Sequence, residues 1–131
     1  QIAMAVEGQW RTYSVTLAWS GYDETLRLVC TFEMEPPEEK LAVLYETLNE
    51  ANDKCWAGAF TYWAAQKLMV YRYGLVMAGA GGVCPEQVDT LIGTAVHSAE
   101  RFYPAFQLAV WGDRSPRDAM QVAMAEAYGR A

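Results

Sequence analysis

The sequence predicts an α+β domain: a five-stranded antiparallel sheet with helices, in the order βββ-α-ββ-α-α. Three observations carry that prediction. Short segments of alternating apolar and polar residues follow one another through tight turns, which joins strands as antiparallel hairpins. Segments of helical spacing are collected after the third strand and near the C-terminus, rather than alternating singly with strands as in a parallel nucleotide-binding sheet. Finally, 131 residues, 53% of them hydrophobic, suffice for one buried core, so residues 1–131 read as one domain.

The elements follow in order. Ile2, Met4 and Val6 alternate with smaller or polar residues up to the turn Glu7-Gly8-Gln9. Tyr13, Val15, Leu17 and Trp19 alternate with Thr12, Ser14, Thr16 and Ala18, a second strand with one wet face. Ser20-Gly21-Tyr22-Asp23 turns the chain. Leu26, Leu28, Cys30, Phe32 and Met34 form the apolar face of a third strand, opposite Arg27, Thr31 and Glu33. Pro36-Pro37-Glu38-Glu39 ends it and opens a helix, with acids at the positive end of the helix dipole. Leu41, Leu44, Tyr45, Leu48, Ala51 and Cys55 then recur at helical spacing.

Phe60–Trp63 and Leu68–Met77 read as a second hairpin across Ala64–Lys67. Val88, Leu91, Ile92, Ala95, Ala99, Phe102, Phe106 and Val110 mark a long second helix, which Pro104 is expected to kink or split. Ser115-Pro116-Arg117-Asp118 is a capping sequence with proline at the first helical position, opening a third helix that ends at Gly129.

Composition excludes several function classes. The net charge is −6 and no two basic residues are adjacent, which argues against nucleic-acid or anionic-membrane surfaces. The longest apolar run, Leu68–Cys84, is interrupted by Arg72 and four glycines and does not read as a membrane span. Three cysteines without metal-like spacing fit a reducing cytoplasm better than a disulfide framework. The chain opens on Gln1 directly before a strand, and a preceding segment is expected.

The glycine-rich stretch MAGAGGVCPEQ, Met77–Gln87, lies where phosphate loops lie, between a strand and a helix. It lacks the lysine of a P-loop, and Cys84 stands where the dinucleotide fingerprint needs its third glycine. Pro85 removes a backbone donor and Glu86 adds a negative charge at the helix start, so no nucleotide is expected there. Cys84 reads as a small N-cap residue rather than an activated thiol, and Cys30 and Cys55 read as core. His97, the sole histidine, falls on the polar side of its helix. Glu33, Glu35, Glu38 and Glu39 form the densest acid cluster but divide between a strand end and a helix start. No catalytic, cofactor-binding or metal-ligating residue is therefore expected. Among the five tryptophans, Trp19 is expected on a core face and Trp10 on a wet face. Trp10 beside Val29 on an outward face is the candidate interface.

Four stretches carry a resemblance. RLVCTFEMEPPEEKL (Arg27–Leu41), LNEANDKCWAG (Leu48–Gly58), LMVYRYGLVMAG (Leu68–Gly79) and ERFYPAFQLAVWG (Glu100–Gly112) resemble the YbjN family of bacterial sensory transduction regulators. The resemblance implies a fold like that of type III secretion chaperones, typically opened by an N-terminal helix that these residues lack. It offers no catalytic residues to carry over. The expectation is a non-enzymatic cytoplasmic module that works by binding protein, with a small-ligand sensor and, behind it, an unrecognised enzyme as the competing readings. A homodimer is expected too, because Trp10 and Val29 are read on one outward face and chaperones of the resembled fold pair through sheet and helix surfaces.

Overall fold

The computed structural model describes residues 1–79 and 81–129. Ala80 of the glycine-rich stretch, and with it part of the expected connector, lies outside the described residues. Five strands and three α-helices succeed one another as predicted: β1 (Ile2–Glu7), β2 (Thr12–Ser20), β3 (Thr25–Glu33), α1 (Leu41–Asp53) after a 3₁₀ turn at Glu38–Lys40, β4 (Ala59–Trp63), β5 (Leu68–Val76), α2 (Pro85–Val110) and α3 (Pro116–Gly129).

All strand pairs are antiparallel, in the spatial order β1-β2-β3-β5-β4. After β3 the chain crosses through α1 to the far edge, lays down β4, and returns as β5 to pair with β3. The period-2 alternation sorts each strand onto two faces. Tyr13, Val15 and Leu17 of β2, Leu28, Cys30 and Phe32 of β3, and Met69 and Tyr71 of β5 are buried beneath the helices. The helices return Leu44, Leu48 and Ala51 from α1 and Phe102 and Phe106 from α2. Phe60 of β4 is the hub of this core. Its ring centroid lies 5.2 Å from Tyr71, 5.6 Å from Phe102 and 5.3 Å from Phe106, each in edge-to-face geometry. Alanines 95, 99, 105 and 109 of α2 and 119 and 123 of α3 are buried, and their small side chains let these layers approach closely.

The caps behave as their sequences predict. Cys84 is the N-cap of α2, and the Gln87 side-chain oxygen accepts its backbone N–H at 2.9 Å. Ser115 Oγ accepts the Asp118 N–H at 3.1 Å. Three expectations need correction. Pro104 does not split α2, which runs unbroken from Pro85 to Val110, because the buried Phe102, Ala105 and Phe106 beside it hold the helix against the core. Trp19 shares a face with Tyr13, Val15 and Leu17 but is 54% exposed, since burial fades toward the hairpin tip. Tyr45 is also exposed; α1 instead buries Thr47, whose hydroxyl donates to the Val43 carbonyl at 2.7 Å and so satisfies itself within the helix.

Candidate functional site

Two surfaces gather the side chains that could act. The first is a cleft of about 470 Å³ between the β1–β2 turn and the α2–α3 pair, lined by Gln9, His97, Glu100, Arg101 and Glu126 among others. Glu100 organises it. Its carboxylate accepts the Trp10 N–H at 3.3 Å and lies against the turn at Gly8. A Cβ at Gly8 would fall 1.8 Å from Glu100 Oε1 and 2.6 Å from the Tyr13 ring, so glycine is what admits the carboxylate. The Tyr13 hydroxyl is buried without a hydrogen-bond partner among the described residues, and burial, then the nearby Glu100, pushes its pKa well above the usual phenol range. Charge at this tyrosine is thereby suppressed.

Next to this cleft, Trp10 stacks on Tyr103 of α2 with ring centroids 6.5 Å apart. The Arg11 guanidinium lies 5.8 Å from the Phe32 ring centroid and 5.9 Å from that of Tyr103, and it donates to the Glu33 carbonyl at 2.8 Å. Together these contacts dock the β1–β2 turn onto α2.

The second surface is the sheet face turned away from the helices. Cross-strand register aligns Thr16, Val29 and Arg72 in one row and Ser14, Thr31, Val70 and Thr61 in the next, with Trp63 and Leu68 paired at the end. Val70, on this face, is completely buried yet lies outside the core cluster beneath the helices. A shallow hollow of about 660 Å³ lies over Arg27, Val29, Thr61, Trp63 and Arg72. Arg27 is held by Asp23, 3.0 Å away.

The structure separates the residues that the sequence grouped. Val29 lies on the outward sheet face as expected. Trp10 does not; it precedes β2 and packs at the helix side, so the two share no surface. The physical reason is that Trp10 belongs to the turn, where strand alternation no longer applies. His97 is exposed near the middle of α2 and shares a cleft with Glu100, while Cys84 caps the N-terminus of the helix, about 20 Å away along its axis. The four acids are dispersed. Glu35 pairs with Lys67 at 2.7 Å, Glu33 lends its carbonyl to Arg11, and Glu38 and Glu39 start the 3₁₀ turn. Among the described residues no three His, Cys, Asp or Glu side chains are grouped as metal ligands, and no helix is long and apolar enough to cross a membrane.

Sequence reasoning missed Glu100 and Arg11, whose partners lie 90 and 22 residues away. It also missed Asn52. That side chain accepts the Phe60 N–H at 2.6 Å and donates to the Phe60 carbonyl at 3.0 Å. Nothing in the local pattern announces any of these pairings.

Comparison with known proteins adds one finding. Residues 1–108 match the model of the YbjN family, described as "putative bacterial sensory transduction regulator". No curated protein and no solved structure matches the chain. With residues 1–108 of 131 matched, the chain belongs to the YbjN family.

Proposed function

We propose that the chain is a non-enzymatic, cytoplasmic protein-binding module of a bacterial regulator, and that it binds through the outward sheet face. One observation carries the reading: among the described residues no helix covers this face, and Val29, Leu68 and Trp63 remain partly exposed there around the buried Val70, as an apolar floor. Val29 and Leu68 extend that floor, and Trp63, Arg72 and Arg27 stand around it. Aromatic and arginine side chains around a packed apolar centre are the residue types that dominate binding energy at protein interfaces. In a chain of net charge −6, the exposed Arg72 on this face, beside an Arg27 already paired with Asp23, favours a partner with apolar and acidic groups.

The test is capture from the native host by the unmodified chain and by Trp63→Ala and Arg72→Glu variants whose melting curves are unchanged. A partner retained by the first and lost by both variants supports the reading. A partner held equally by all three would place binding elsewhere.

A small-ligand sensor is the second reading, favoured by the convergence of Gln9, His97, Glu100 and Arg101 on one cleft. A saturable rise in melting temperature with a metabolite, abolished by His97→Ala, would favour it over the first.

A further inference from the structure

The cleft at Glu100 does not end at its polar residues. Along α2, His97, Glu100, Pro104 and Gln107 follow one another at three or four residues, as do Arg101, Pro104 and Leu108. Such spacing puts them on one stripe, roughly 16 Å long from His97 to Leu108. The cleft of about 470 Å³ occupies the first part of this stripe. A second hollow of about 310 Å³ occupies the rest, between Trp10, Tyr103, Leu108 and Val122. Pro104 and Glu126 line both hollows, so they adjoin as one groove with a polar end and an apolar end.

Charge decides what such a groove can take. The polar end holds two carboxylates, Glu100 and Glu126, against one permanent cation, Arg101. Arg101 is engaged elsewhere. Its guanidinium lies 5.1 Å from the Phe102 ring centroid, and its charge acts on Cys55, just past α1. Glu100 has no ion pair among the described residues; its Oε1 accepts the Trp10 N–H at 3.3 Å. Pro104 adds a further acceptor, because it has no N–H to give the Glu100 carbonyl four residues back. Trp10 then links the two ends. Its backbone is bonded to Glu100, while its indole lies in the apolar hollow, stacked on Tyr103. A carboxylate without a counter-charge is thus set beside two aromatic rings, whose faces also attract cations.

We propose that this groove binds a small organic monocation: a protonated amine on a flat apolar body, its ammonium at Glu100 and its body against Trp10, Tyr103 and Val122. An ammonium is all donor, which suits an end rich in acceptors. Hollows of these volumes match a small-molecule ligand. A carboxylate of the same shape would meet Glu100 and Glu126 as like charges. The inference rests on the second reading above, the small-ligand sensor, and gives its ligand a chemical class. It is independent of binding at the outward sheet face.

Isothermal titration with 2-phenylethylamine and with 3-phenylpropanoate, an anion of similar shape, tests it. The expected result is saturable binding of the amine and none of the anion. Glu100→Gln keeps an acceptor for the Trp10 N–H but removes the charge, and should weaken the amine at least about tenfold. Val122→Lys, at an exposed position of α3, places a cation in the apolar hollow and should weaken it as much, so the test holds even if the Glu100 variant fails to fold. No binding of the amine overturns the inference, as does equal binding of amine and anion. Amine binding that survives both folded variants unchanged overturns it too. A metabolite of another class that raises the melting temperature and depends on His97, with the amine inert, would leave the sensor reading standing and overturn this one alone.

Discussion

At one edge of the sheet Phe60 has its ring among Tyr71, Phe102 and Phe106 and its backbone bonded by Asn52. At the other edge Ile2 is largely exposed, Met4 and Val6 are half-buried, and the backbone of Ala3 and Ala5 faces outward. Both are short edge strands of similar apolar character. The difference comes from connectivity. The chain reaches β4 directly from the end of α1, so Asn52, only eight residues before Phe60, is delivered to its side. β1 continues into β2 through a tight turn, and that turn, not the strand edge, receives the helix contact, through Trp10, Arg11 and Glu100. An edge strand is protected by whatever element the chain places next to it, and among the described residues it is the β4 edge that is so served.

The sharpest contrast should appear in side-chain truncation. Phe60→Ala removes a fully packed aromatic hub and is expected to cost about 3–5 kcal/mol in denaturant unfolding. Met4→Ala, on a half-buried edge position, should cost about 2 kcal/mol or less. Equal costs would mean that β1 is as firmly anchored as β4. The next effect is on assembly. Asn52→Ala deletes both bonds to Phe60, costing roughly 1–3 kcal/mol. It also frees the outward backbone groups of Phe60, so the variant should associate more strongly with rising concentration than the unmodified chain, visible by sedimentation. A variant that stays at the mass of the unmodified protein would show that α1 itself, not its asparagine, closes the edge.

The smallest effect near neutral pH lies between the two edges, at Cys30 on β3. Burial raises its thiol from an ordinary value of 9.0 to about 12. The neutral thiol is the form the core accepts, so the folded state holds its proton where the unfolded state releases it. Stability from this group is fully present below pH 9 and falls as pH rises from about 9 toward 12. The buried phenols of Tyr13 and Tyr71, raised chiefly by desolvation, act in the same direction. Alkaline unfolding should therefore be displaced upward in Cys30→Ala relative to the parent, once the two are matched for stability at pH 7. An unshifted alkaline midpoint would remove the thiol from the account.

Much of this was legible in one dimension because its causes are local. Strand alternation follows from the two-residue period, so Tyr13, Val15 and Leu17, or Leu28, Cys30 and Phe32, could be assigned to one face without a partner strand in view. Helix starts depend on side chains within three residues, and Ser115 and Cys84 cap as read. Local rules lose their grip where an element ends. Trp10 was read by strand parity although it lies in a turn, and Trp19 keeps the parity but outruns the helical cover. Pro104, read as a residue that kinks or splits its helix, does not split it, since α2 continues past it to Val110.

By itself, then, the sequence determined the order and kind of the elements, the composition of the core, and the family to which the chain belongs, since each depends on residue type and short spacing. Only the tertiary structure decided which strands became edges, that Asn52 would close one of them, and that Gly8 would admit Glu100 beneath the turn. Strand order inserts β5 between β3 and β4, and the contact of Trp10 with Glu100 spans 90 residues; such pairings are settled by the global packing of the helices on the sheet, which no window of sequence contains.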